Sequence, residues 1–137
     1  MKISNKLTNK LYWIAMISLL FWFAYSKGWV LASFESIDAK QAIYLIETDN
    51  NITILDVRTM QEYKQGHLRD ATLIPVEHLE KNLDMIKQDK NKKILVYCAS
   101  GNRSVHAARV LEKHGFKPIN IKGGIIDLAR EKVEIVK

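Results

Sequence analysis

Three observations in the sequence predict an α/β fold: a parallel sheet flanked by helices on both faces, preceded by an N-terminal hydrophobic helix. Short apolar runs recur at 52–57, 92–97 and 119–121, each of a length that suits a strand buried in such a sheet. Between and around them lie segments with helix-capping signatures and apolar residues at three- and four-residue spacing. Ahead of all of these, Leu11 to Ser26 carry no charge. Strands alternating with helices imply parallel pairing through crossovers. Sheets of this kind bind ligands beyond the carboxyl ends of their strands.

The 137 residues are enough for a leader, 1–33, and one domain, 34–137. The leader contains Lys2, Lys6, Lys10 and Lys27 and no acidic residue, so it holds four of the six net positive charges. In the remainder the charges alternate in sign without a basic stripe, which argues against a nucleic-acid partner. Lysines before an uncharged, aromatic-rich stretch are the layout of an export signal or of a membrane anchor with its lysines inside. Counted to Ala32, the apolar stretch approaches the ~20 residues that span a bilayer. The preferred reading is an uncleaved anchor in the cytoplasmic membrane, with the domain facing the periplasm or exterior. The alternative is cleavage after Ala32, at Val30-Leu31-Ala32, and release into the periplasm.

Within the domain, Asp38 and Gln41 form a capping-box pair, and Ala42, Leu45 and Ile46 give the helix its apolar side. Thr48 to Asn51 reads as a turn and Ile52 to Val57 as a β-branched strand. Thr59 and Glu62 form a second capping box on a short helix that Gly66 closes. Ala71 to Pro75 suggests a short strand, and Glu77 to Met85 a helix with Leu79, Leu83 and Ile86 on one side. Asp89-Lys90-Asn91 turns into the strand ending at Tyr97. Val105, Ala108, Val110 and Leu111 mark the next helix, with Gly115 at its C′ position. Ile119 to Ile121 is expected as the last strand, and a short helix lies in the tail from Ile125 to Val136.

The lone cysteine, Cys98, sits where a strand ends and a helix begins, followed by Ala99-Ser100-Gly101-Asn102-Arg103-Ser104. Free amides and the positive end of the helix dipole gather at such a junction. With Arg103 nearby they lower a thiol pKa and make the sulfur a ready nucleophile. A lone strand-end cysteine is often merely a small hydrophobe. The small, polar, flexible residues after this one instead suit a loop that curls its amides round an anion. Asp56 and Arg58 converge on the same sheet edge from the neighbouring strand. No His or Cys cluster has metal-ligand spacing, so no metal and no other cofactor is expected.

Asp56-Val57-Arg58, Glu62-Tyr63, Gly66-His67-Leu68, Ala71 and Ile74-Pro75 together resemble the first signature of rhodanese domains. Cys98 to Ser104 is similar to their active-site loop, and Gly123-Gly124 to the paired glycine after their last strand. Two positions depart from the pattern: Asp70 stands where the family often has Gly, and Ile125 to Leu128 where an aromatic, often Trp, is usual. Asp tolerates left-handed backbone, so the turn at Asp70 is expected to survive.

The resemblance implies sulfur transfer, with small sulfur-containing anions and thiol acceptors as partners. Cys98 takes a sulfane sulfur from thiosulfate or a similar donor as a persulfide, then yields it to cyanide or a thiol. The amides of Ala99, Ser100, Gly101, Asn102 and Ser104 are candidates to bind the anion, and Arg103 to hold the donor. The competing reading of Arg103 is a surface pair with a helix carboxylate. Asp56 is expected to brace the loop by accepting its amides, and Arg58 to pair with Glu62; both are support rather than chemistry. His67 and His106 are given no role as bases. A monomer is expected.

Two rivals remain. Cysteine phosphatases and arsenate reductases place five residues between Cys and Arg, where this chain has four, and His before the Cys, where this chain has Tyr97. A persulfide carrier serving a membrane or periplasmic partner would load Cys98 yet turn over slowly alone.

Overall fold

The computed structural model describes residues 5–26 and 33–137. Lys2, Lys27 and the candidate cleavage point after Ala32 lie outside the described residues. By internal contacts the chain divides into two units, Met1–Ser33 and Phe34–Lys137. The first is built on α1 (Asn5–Ser26), whose 22 residues include no buried side chain. At 1.5 Å per residue it is about 33 Å long, the thickness of a bilayer's hydrocarbon core. By length and composition it can cross a membrane.

The second unit runs β1 (Glu35–Ile37), α2 (Ala39–Thr48), β2 (Ile52–Asp56), α3 (Met60–Gln65), β3 (His67–Leu68), β4 (Thr72–Leu73), β5 (Lys93–Tyr97), α4 (Asn102–Lys113), β6 (Lys117–Ile121), α5 (Gly124–Arg130) and β7 (Ile135–Val136). Five strands form a parallel sheet in the order β1-β6-β5-β2-β4. Strand side chains alternate faces, so the chain builds two cores. Ile54, Leu95 and Tyr97 pack with Ala42 of α2 and Leu128 of α5 on one face. Leu55, Val96 and Cys98 pack with Ala107 and Leu111 of α4 on the other. Burial on both faces is why these strands read as continuous apolar runs.

Both capping boxes form. Asp38 Oδ1 accepts from the Gln41 amide at 2.8 Å, and the Asp38 amide donates to Gln41 Oε1 at 3.1 Å. Thr59 and Glu62 reciprocate in the same way at the start of α3. Gly66 ends α3 and Gly115 follows α4 with positive φ. Asp70 does adopt the left-handed backbone, φ 63°.

Three expectations need correction. The stretch from Glu77 to Met85 is not an α-helix but part of two 3₁₀ segments, Val76–His78 and Glu80–Asp89. Asn82 breaks the second (φ −119°, ψ 19°), and its amide donates to the His78 carbonyl at 2.7 Å, a side-chain competitor to the helical bond. The turn after α2 begins one residue later than Thr48, which is helical. The strand at Ile119 to Ile121 runs from Lys117 and is not the last, because the helix after it stops at Arg130 and β7 pairs antiparallel with β3. Strands of two or three residues, such as β1, β3 and β7, carry no period to read.

Candidate active site at the end of the central strand

Tyr97 completes β5, and the chain leaves the sheet at Cys98, which is 1% exposed. Four residues later α4 starts at Asn102, with Gly101 at its N-cap in a left-handed conformation, φ 102°. This turn brings the Gly101 amide 3.1 Å from the Cys98 sulfur, to which it donates. The Ser104 hydroxyl lies 3.6 Å from the same sulfur. Burial pushes the Cys98 thiol pKa up, but the Ser104 hydroxyl and the amides of Ser104, Gly101 and Ser100 outweigh it and hold the pKa below the ordinary cysteine value.

The loop is held in this orientation from behind. The Ile125 amide donates to the Cys98 carbonyl at 2.9 Å, and the Ile126 amide to the Ala99 carbonyl at 3.3 Å. With those carbonyls bonded to the start of α5, the Gly101 amide is left for the sulfur. The approach demands glycine: a Cβ on Gly124 would lie 2.3 Å from the Cys98 carbonyl oxygen, and one on Gly101 3.0 Å from the Gly123 nitrogen. Ile125 and Leu128 pack into the core where an aromatic is usual.

Arg103, in the first turn of α4, forms a two-pronged ion pair with Glu62 of α3. Nη1 donates to Oε2 at 2.9 Å and Nη2 to Oε1 at 2.7 Å. The bond from Arg103, helped by the amide and hydroxyl of Thr59 against a smaller cost of burial, pulls the Glu62 carboxyl down to about 2. Arg103 is thus a half-buried cation with both terminal nitrogens engaged.

Asp56 and Arg58 have other partners than expected. Asp56 accepts the Arg58 amide at 2.9 Å and three further bonds from its guanidinium, at 3.0 and 3.1 Å from Nε and 2.7 Å from Nη2, rather than amides of the loop. Arg58 pairs with Asp56 and with the Gly66 carbonyl at 2.7 Å, not with Glu62. It precedes α3, so the helical four-residue spacing does not apply to it. Tyr97 closes the network: its hydroxyl accepts the Leu68 amide at 3.1 Å, and burial, then the Asp56 charge, push its phenol pKa up. The Arg58 guanidinium lies 5.6 Å from the Tyr97 ring centroid.

The structure therefore places the Ser100, Gly101 and Ser104 groups around the Cys98 sulfur and pairs Arg103 beside them. Ala99 contributes its carbonyl to the rear brace, and Asn102 is exposed at the start of α4. The sequence marks Glu62 as a cap, a signature residue and a partner for Arg58, but not as the partner of Arg103, and Tyr97 as the last strand residue before the cysteine, but not as a hydrogen-bond partner of Leu68. His67 stacks on Tyr63, rings 3.6 Å apart, and His106 is exposed. Among the described residues no group of three His, Cys, Asp or Glu is placed to hold a metal. A cavity of about 540 Å³ opens elsewhere, lined by Ile46, Ile52, Leu68 and Val133, and does not include the cysteine.

Comparison with known proteins shows the family and agrees with the fold. Residues 38–131 match the rhodanese-like domain family. A tRNA uridine(34) hydroxylase of Hamiltonella defensa is 38% identical over 87 residues, covering 60% of this chain and 24% of that protein. A candidate sulfur carrier protein, YrkF of Bacillus subtilis, is 37% identical over 83 residues, covering 60% of this chain and 44% of that protein. The chain thus spans less than half the length of these curated relatives. The crystal structure of a rhodanese-related protein from Thermoplasma volcanium superposes with a TM-score of 0.68 at 30% identity, covering 75% of this chain and 98% of that one.

Proposed function

The chain belongs to the rhodanese-like family, and on that premise we propose that it is a sulfurtransferase carrying sulfane sulfur as a Cys98 persulfide. The observation that carries the reading is the Gly101 amide 3.1 Å from a buried sulfur whose pKa is lowered. In the first step the Cys98 thiolate attacks the outer sulfur of thiosulfate or a similar donor. A Cys–S bond to that sulfur forms, the donor's S–S bond breaks, and sulfite leaves with the electron pair. In the second, cyanide or a thiolate attacks the terminal sulfur and the Cys98 thiolate is released. In the persulfide the charge moves to the terminal sulfur, about 2 Å beyond the Cys98 sulfur, and amides of the loop that point past the Gly101 contact stabilise it there, as an oxyanion hole does. Arg103 adds positive field from the rim, and the double displacement is ping-pong.

The test is the intact mass of the full-length protein in detergent, with and without thiosulfate, followed by cyanide. The expected result is a gain of one sulfur atom, absent in Cys98→Ser and lost to cyanide as thiocyanate. A gain that cyanide cannot remove would support instead a persulfide carrier, a reading favoured by the likeness to the YrkF protein. No gain with any sulfane donor would end the proposal. We place the domain outside the cytoplasm, tethered by α1. Protein from membranes is then expected to keep its N-terminal lysines in mass spectrometry, whereas a mature N-terminus at Ser33 marks cleavage.

A further inference from the structure

The Cys98 loop contains one charged side chain, Arg103, and Glu62 already holds both of its terminal nitrogens. A guanidinium bound two-pronged to a carboxylate has its best anion-binding edge occupied. A second carboxylate, Glu77 in the segment Val76–His78, also acts on Arg103 through its charge. Arg103, the cation that the Cys98 charge also acts on, is thus shared by two carboxylates. The amides of the loop suit the single negative charge of a thiolate or persulfide. Nothing among these groups balances a second charge arriving on the donor.

Resting on the sulfurtransferase reading, we infer that Glu62 is a specificity-determining residue: by occupying Arg103 it makes Cys98 a site for sulfane donors of low negative charge, thiol persulfides or thiosulfonates, in preference to the thiosulfate dianion. With a thiol persulfide, Cys98 bonds to the outer sulfur, the donor's S–S bond breaks, and the thiolate leaves with the electron pair and takes a proton from water. With a thiosulfonate the leaving group is a sulfinate. In both cases the electrons stay within the exchanging sulfurs, and no outside oxidant or reductant is needed.

The experiment compares thiosulfate with methanethiosulfonate, a monoanionic donor of the same sulfane chemistry, on the full-length protein and on Glu62→Gln. Glutamine preserves the capping box with Thr59, so α3 keeps its start while the negative charge goes. Intrinsic donor reactivity cancels when each donor's variant-to-wild-type ratio of kcat/KM is taken. Because Coulomb energy scales with the product of charges, the gain for the dianion should be the square of that for the monoanion, roughly ninefold against threefold. Glu77→Gln, at an exposed position, should move both ratios in the same direction by less.

In the wild type, added salt should raise kcat/KM for thiosulfate, because screening relieves repulsion. A fall with salt, or equal ratios for the two donors, would overturn the assignment of Glu62 while leaving the sulfurtransferase reading in place. Failure of Cys98 to gain sulfur from either donor would overturn both.

Discussion

Asp56 and Cys98 stand at the carboxyl ends of adjacent parallel strands, with Asp56 in register with Tyr97 and Cys98 one residue beyond. Each bears an acidic group with an arginine close by in sequence or space. Asp56 faces the core shared with α2 and α5, and its charge is consumed by Arg58, which is itself 5% exposed. Cys98 faces the opposite core, next to a helix start, and its sulfur meets amides and a hydroxyl rather than a cation. One residue of strand changes the face, because side chains alternate with a period of two. A carboxylate locked to a buried guanidinium holds the edge together; on the proposed function, a sulfur held by neutral donors keeps its charge available to an incoming sulfur.

The contrast breaks most severely on substitution of the two anions. Cys98→Ser is expected to abolish sulfur transfer while costing less than about 1 kcal/mol of stability, since the hydroxyl keeps the amide and Ser104 as partners. Asp56→Ala strands a buried guanidinium and should cost about 3–5 kcal/mol in denaturant unfolding. If Cys98→Ser unfolded the domain as badly as Asp56→Ala, the cysteine would belong to the structural side of the comparison.

Arg103→Ala probes the half-exposed cation between these extremes. It removes the cation that Glu62 and Glu77 share beside the Cys98 loop, so kcat/KM for thiosulfate should fall about tenfold, ~1.4 kcal/mol of transition-state stabilisation. The melting temperature should barely move, as exposed pairs contribute about 0–1 kcal/mol. A large loss of melting temperature with proportionate loss of activity would mark Arg103 as another Arg58.

The smallest effect is with pH. Glu62 titrates near 2 in the folded chain, below its ordinary 4.5, because Arg103 and Thr59 bond its charged form. A depressed carboxyl pKa means that the unfolded chain takes up the proton first. The stabilisation is therefore complete above pH 4.5 and is lost as pH falls from there towards 2. Wild type and Glu62→Gln should converge in thermal melts across that window and differ by a constant amount above it.

What could be read from the sequence was local. The capping boxes span four residues each, the strand before the cysteine five, and the turn from Tyr97 to Asn102 follows from a strand, small residues and a helix pattern in succession. What selects the partners of the site's charged residues was not local. Glu62 finds Arg103 41 residues away, and no spacing rule links α3 to α4. Arg58 has a carboxylate on each side, and its choice of Asp56 depends on burial beneath Tyr97, which only the assembled sheet supplies. Likewise β3 and β7 exist only as a pair, since two residues cannot form a strand without a neighbour.

The glycine pair behind the loop bears on how such a site can change over evolutionary time. Two amides of the α5 start grip the carbonyls of Cys98 and Ala99, and Gly124 has no room for even a methyl group between them. The loop is gauged from its back as well as its front. Lengthening it by one residue, the step towards a phosphate-sized ring, would move those carbonyls off their amides and require the distant glycine turn to be refitted together with it. A drift from sulfur to phosphorus chemistry here is a concerted change in two parts of the chain, and the intermediate forms would hold neither anion well.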